Sequence, residues 1–129
     1  SRLDFYMEKQ DEKYLMEVKG CTLEIDGIGY FPDAPSERAV RHLHELMHAV
    51  KQGYHCILAF VIAMPGVMVV RPNMTTHPAF GQALSEAMAA GVEVWYLPCE
   101  ITADSIQIKG RKRKYYTVQD GLYPHMVIQ

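Results

Sequence analysis

The sequence has little of what marks secreted, membrane-spanning or strongly basic proteins. Its three cysteines, Cys21, Cys56 and Cys99, are odd in number and widely spaced, so they predict neither a disulfide framework nor a metal knuckle and fit a reducing cytoplasm. No apolar run approaches the roughly 20 residues of a membrane-spanning helix, and we expect no membrane association. A formal net charge of −2 excludes a domain that holds nucleic acid by overall charge alone.

Two stretches near the N-terminus alternate between apolar and polar residues with a period of two, as half-buried strands do. These are residues 1–7 and 13–19, joined by the short polar segment 8–13, which predicts a hairpin. A turn centred between Gln10 and Asp11 sets Asp4 opposite Glu17 and Arg2 opposite Lys19. The apolar side chains of both strands then share one face, and the polar side chains share the other.

This register has a chemical consequence for the two acids. Directly opposed side chains have Cβ atoms roughly 5 Å apart, and two carboxylates at that distance repel by on the order of 3 kcal/mol at an effective dielectric of ~20. A cation between Asp4 and Glu17 relieves this repulsion. Two carboxylates, a backbone carbonyl such as that of Val18, and water suit Mg²⁺ or Mn²⁺, and Lys19 can stabilise the charge that develops on a phosphate. The alternative is a solvated polar face on an edge hairpin.

The rest of the chain predicts an α/β sandwich, a mixed β-sheet flanked by helices on both faces. Ser36 is a good N-cap for a helix over 37–52, which ends before Gly53. A second helix is predicted over 78–90 with Gly91 as its stop. Strands are predicted over 54–63, 67–70, 92–97 and 100–109, the last with a turn at 103–105. We expect one domain over 1–109 and a basic and aromatic C-terminal tail over 110–129, whose run at 111–114 is the richest basic patch.

The first predicted helix contains the pattern HExxH, in His44, Glu45 and His48. Two histidines one turn apart with a glutamate are the mark of many zinc hydrolases. Both histidines lie off the apolar stripe of the helix, and no third ligand follows at the expected spacing. The predicted stripe, which we expect to face the core, is formed by Ala39, Val40, Leu43, Leu46, Met47 and Val50. A zinc hydrolase is therefore kept only as a minor alternative.

The acid on one strand followed by Glu-x-Lys on the next resembles the PD-(D/E)xK nuclease superfamily. A longer pattern is similar to the C-terminal part of the sugar fermentation stimulation protein family, SfsA, over residues 1 to about 109. The residues that carry this resemblance are Ser1-Arg-x-Asp4-Phe, Glu17-Val-Lys19-x-x-Thr22-Leu23, Gly29-Tyr-Phe-Pro-Asp33-Ala, Glu37-Arg38-x-x-x-His42-Leu-x-Glu45-Leu46 and Gly91-Val-Glu-Val94.

The resemblance implies an α/β restriction-endonuclease-like core and a cytoplasmic DNA-binding protein linked to sugar use, especially maltose. It implies Asp4, Glu17 and the Val18 carbonyl as ligands of Mg²⁺ or Mn²⁺, and Lys19 as the catalytic cation. Arg2 and Arg38 become candidate DNA contacts, with Glu37 as a supporting acid. Asp33 closes a loop that leaves the Glu17 strand, and it is either a further supporting acid near the metal or a plain turn aspartate.

The family also has an N-terminal OB-fold domain. We expect that domain and the first helix of the nuclease-like core to be absent from this chain, which starts at Ser1 without an initiator methionine. Whether the protein cleaves DNA as a metal-dependent nuclease or only binds it as a transcriptional regulator stays open at this point, as does its oligomeric state.

Overall fold

A computed structural model describes the backbone of residues 4–101, 106–108, 112–116 and 122–127, and the side chains of residues 4–99. The strands and helices follow in the order β1 (Phe5–Lys9), β2 (Glu12–Cys21), β3 (Leu23–Ile25), β4 (Ile28–Phe31), α1 (Glu37–Lys51), β5 (His55–Ile62), β6 (Val70–Pro72), α2 (Pro78–Ala90), β7 (Glu93–Ile101), β8 (Ile106–Ile108), β9 (Lys112–Tyr116) and β10 (Leu122–Val127).

The central sheet has five strands in the order β1-β2-β5-β7-β8. Strand β2 pairs with β1 antiparallel and with β5 parallel, β5 pairs with β7 parallel, and β7 pairs with β8 antiparallel. A second sheet has the order β3-β4-β6, and β9 pairs with β10. The sheet is therefore mixed, as predicted, and the chain has the α/β architecture expected from its sequence.

The β1–β2 hairpin has the predicted register. Phe5 lies opposite Met16 and Lys9 opposite Glu12, and the turn residues Gln10 and Asp11 both have positive φ, at 52° and 68°. Two consecutive residues of this kind form the tight turn whose twist matches that of paired strands. The same register, continued by one residue, sets Asp4 opposite Glu17.

Helix α1 begins where the sequence predicts. The Ser36 side chain accepts a hydrogen bond from the Ala39 N–H at 3.1 Å, so one of the free amides of the first turn is satisfied. The helix ends at Lys51, and Gly53 follows in the left-handed region with φ 95°. Helix α2 covers Pro78–Ala90 as predicted and ends at Gly91, with φ 114°.

Strand β6 differs from its prediction, which covered 67–70. It runs over Val70–Pro72 and pairs with β4. Pro72 is tolerated there because β6 lies at the edge of its sheet, where a missing N–H breaks no ladder. The predicted turn at 103–105 and the predicted boundary at 109 fall outside the described residues.

The two helices of the described chain pack on the same face of the central sheet, so the prediction of helices on both faces is wrong for these residues. Leu43 and Leu46 of α1, together with Phe80 and Leu84 of α2, form one buried cluster with alternate residues of β5 such as Phe60. Intervening residues of β5 belong to a smaller cluster on the opposite face. Neither helix in the described part of the chain has the length and apolar character needed to span a bilayer.

The polar face of β2 is the one that faces these helices. Glu17 is only 2% exposed, and Cys21 on the same face is buried in the main cluster. The alternative of a solvated polar face is therefore wrong for Glu17, whereas Asp4 and the residues of β1 are exposed. Alternation assigns Glu17 and Cys21 to one face, but it does not say which face a helix covers.

Candidate functional site

The hairpin brings the two predicted acids together. The Asp4 N–H donates to Glu17 Oε2 at 3.3 Å, and Asp4 Oδ2 accepts from the Val18 N–H at 2.8 Å. The Asp4 side chain thus bonds to the β2 backbone where the paired ladder of β1 ends. A hydrogen bond from a backbone amide to a carboxylate is short and strong, so it fixes the Asp4 carboxylate at the Val18 amide, one residue after Glu17 on β2.

Glu17 is the buried centre of the site, and two nitrogen atoms converge on one of its oxygens. Lys19 Nζ lies 3.2 Å from Glu17 Oε1, and His42 Nδ1 lies 2.7 Å from the same oxygen. Lys19 Nζ and His42 Nδ1 are 2.9 Å apart. The Lys19 side chain is 15% exposed, so the ammonium reaches the edge of the site while Glu17 and His42 lie beneath it.

Burial and neighbouring charges both act on the pKa of the His42 ring. Burial of the ring lowers the pKa of His42, and the positive charge of Lys19 lowers the pKa further, against the opposing effect of Glu17. The 2.7 Å contact between His42 Nδ1 and Glu17 Oε1 fits a proton on Nδ1 that is donated to the carboxylate.

His42 is the site residue that sequence reasoning did not assign a role. The predicted core stripe of α1 contained Ala39, Leu43 and Leu46 but left out His42 and Ala49, both of which are buried. A signal was present, because residues 39, 42, 43, 46 and 49 repeat at helical spacing. A histidine in such a stripe needs a polar partner inside the protein, and Glu17 is the buried acid that meets it.

The other predicted residues lie around this centre rather than in it. Arg38 is exposed in the first turn of α1, and its charge contributes to lowering the His42 pKa. Glu37 is exposed, with Oε1 3.7 Å from His77 Nε2 at the start of α2. Asp33 is exposed in the loop before α1. Arg2 lies outside the described residues.

The HExxH pattern does not form a metal site in the described part of the chain. His44 and His48 are exposed on α1. Among the described residues, no group of three or more His, Cys, Asp or Glu side chains is arranged to hold a metal ion. The same finding limits the predicted Asp4–Glu17 site to two carboxylates, so a cation there would need further oxygen ligands from the backbone and water.

Comparison with known proteins gives one consistent result. Residues 1–105 match the family model described as the sugar fermentation stimulation protein RE domain. Sugar fermentation stimulation protein homologs from Desulfitobacterium hafniense strain Y51 and Clostridium beijerinckii are 50% and 47% identical to the chain, over 83% and 84% of its length.

A solved structure of Pyrococcus furiosus SfsA in complex with Ca²⁺ superimposes with a TM-score of 0.79 and 31% identity, covering 85% of this chain. The chain spans about half the length of these relatives, 47% and 48% of the two homologs and 48% of the solved protein. The match over 105 residues, the identity of the homologs and the shared fold agree. This chain belongs to the sugar fermentation stimulation protein family.

Proposed function

We propose that this domain binds a divalent cation, Mg²⁺ or Mn²⁺, at Asp4 and Glu17, and uses it with Lys19 to cleave phosphodiester bonds in DNA. The observation that carries the proposal is that Glu17 accepts a hydrogen bond from the Asp4 N–H and contacts the Lys19 ammonium, while the Asp4 carboxylate is held at the neighbouring Val18 amide. These are the three side chains that the nuclease-like pattern requires. The proposal extends to a cytoplasmic, DNA-binding role in sugar use, which rests on the family.

The donor set fits a hard cation. Asp4 and Glu17 offer carboxylate oxygens, which suit Mg²⁺, Mn²⁺ and Ca²⁺. In an extended strand the N–H and C=O of one residue point to the same side, so the Val18 carbonyl is directed to the side on which its N–H meets Asp4. The Ca²⁺ complex of the Pyrococcus relative supports a divalent cation in this fold. A cation bound here supplies a Lewis acid for the phosphodiester group.

Lys19 then has a defined task. Its ammonium sits 3.2 Å from Glu17 and is partly exposed, so it can meet a phosphate oxygen without a rearrangement of β2. An ammonium in this position neutralises the negative charge that grows on the phosphate in the transition state. Arg38, exposed on the neighbouring first turn of α1, is a candidate phosphate contact that positions the strand.

A second candidate function is a DNA-binding regulator that does not cleave. The observation in its favour is that Glu17 Oε1 is already in contact with two nitrogen atoms of the protein, Lys19 Nζ and His42 Nδ1. The buried carboxylate is thus neutralised by the protein itself, as in a polar cluster kept for structure. The three cysteines are free and buried, which agrees with the cytoplasmic location proposed for either function.

The experiment that separates the two is nicking of supercoiled plasmid DNA by this chain in Mg²⁺ or Mn²⁺, with binding to the same DNA measured in Ca²⁺. A nuclease gives cation-dependent nicking that falls about 10²–10³-fold in Lys19→Ala, while DNA binding persists. The matched control is Lys9→Ala, which removes a positive charge from an exposed position on β1. This variant should keep full nicking activity. DNA binding without nicking in either cation rejects the nuclease and leaves the regulator.

A further inference from the structure

His42 is a buried polar residue for which the proposed chemistry has no direct use. It is 1% exposed and lies on the core side of α1. Its Nδ1 is 2.7 Å from Glu17 Oε1, and its Nε2 is buried without a hydrogen-bond partner in the described part of the protein. Burying an imidazole is unfavourable unless hydrogen bonds compensate for its lost hydration. In this site the short contact with Glu17 is the one that does so.

With Glu17 as a carboxylate, the two nitrogen atoms that contact Oε1 allow one assignment of protons. A carboxylate oxygen only accepts and an ammonium only donates, so the 2.7 Å contact requires a proton on His42 Nδ1. An Nδ1–H cannot also accept from Lys19, and the Lys19 ammonium therefore donates to Oε1 at 3.2 Å. Nε2, the other ring nitrogen, has no hydrogen-bond partner among the described residues.

This assignment fixes the orientation of the Glu17 carboxylate. Oε1 receives two donors on the α1 side, from His42 and Lys19. Oε2 is on the opposite side, 3.3 Å from the Asp4 N–H. Rotation of the carboxylate would break the short bond to His42, so only Oε2 stays directed toward Asp4.

We propose that His42 is a positioning residue for the cation site. Its Nδ1–H holds Glu17 Oε1 so that Oε2 and the Asp4 carboxylate face one divalent cation. The inference rests on the proposed cation site and deepens it. Hydrogen-bond partners of metal ligands commonly act in this way, and their loss typically weakens metal binding about 10-fold to 100-fold.

The test is the dissociation constant for Mn²⁺, measured by electron paramagnetic resonance on the folded chain. His42→Phe fills the space without a donor and is expected to bind about 10-fold to 100-fold more weakly. His42→Asn carries an amide N–H near the position of Nδ1 and is expected to restore most of the affinity. Leu46→Ala, which removes a fully buried side chain from the same helix, is the control: it lowers thermal stability and leaves the affinity unchanged.

The outcomes separate this inference from the proposal on which it rests. If the parent chain binds Mn²⁺ and His42→Phe binds it equally well, the positioning role is overturned and the cation site stands. If the parent chain binds no Mn²⁺ but its fold is intact, the cation site fails and the positioning role fails with it.

A second measurement needs no substitution and applies even if His42→Phe does not fold. The ¹⁵N chemical shifts of the His42 ring in the metal-free chain report which nitrogen carries the proton. A proton on Nδ1 supports the inference, and a ring that carries its proton only on Nε2 overturns it.

Discussion

Replacing Lys19 by Met tests how strongly the stability of the fold depends on pairing the buried Glu17 carboxylate with the Lys19 ammonium. Lys19 Nζ and Glu17 Oε1 are 3.2 Å apart, and Glu17 is 2% exposed. At an effective dielectric of ~20 a pair at this distance attracts by about 5 kcal/mol. Removing one partner of a buried pair costs roughly 3–5 kcal/mol, because the other charge is left uncompensated.

Two features of the site place the expected loss of unfolding free energy near the lower end of this range. Lys19 is 15% exposed, so water screens part of the attraction, and His42 continues to donate to Oε1 after the substitution. Met keeps most of the apolar stem of Lys19. We therefore expect Lys19→Met to lower the free energy of unfolding by about 3 kcal/mol at pH 7.

Urea unfolding followed by the fluorescence of the single tryptophan, Trp95, measures this change. Lys9→Met, on the exposed strand β1, is the control and should stay within about 0.5 kcal/mol of the parent chain. Adding Glu17→Gln to Lys19→Met should recover much of the loss, because a neutral amide needs no cation. The reasoning is refuted if Lys19→Met destabilises the chain no more than Lys9→Met.

Two further predictions concern the helix cap and the buried thiols. Ser36→Ala removes the acceptor for the Ala39 N–H, so thermal or urea unfolding should show a loss of about 1 kcal/mol; no change would mean that the cap bond is not formed in solution. Burial raises the pKa of Cys56 to about 11, so at pH 8 only about 0.1% of it is thiolate, against roughly a quarter for an ordinary cysteine of pKa ≈ 8.5. Iodoacetamide at pH 8 should leave Cys56 unmodified in the folded chain and label it in urea, as mass spectrometry would record; rapid labelling of the folded chain would contradict its burial.

The hairpin register was predictable because two independent signals agreed on it. The polar turn at Gln10 and Asp11 and the alternation on both sides of it allow one pairing, which sets Asp4 opposite Glu17. The bounds of α2 were equally clear, since Pro78 can start a helix and Gly91 can end one in the left-handed conformation.

The environment of the acid pair was not predictable in the same way. The side chains on the Glu17 face of β2 look solvent-facing by polarity, yet α1 covers them. The fact that decides the burial of Glu17 is a contact between residues 17 and 42, which no local pattern specifies. His42 itself was overlooked because polarity, rather than helical spacing, decided which residues of α1 were assigned to the core stripe.

The account depends most directly on where a divalent cation binds. Anomalous diffraction from crystals of this chain soaked in Mn²⁺ measures that position without reference to activity. We predict one Mn²⁺ between the Asp4 carboxylate and Glu17 Oε2, absent in Asp4→Asn. Mn²⁺ bound only at exposed histidines such as His44 and His48, with Asp4 and Glu17 unoccupied, would contradict the account.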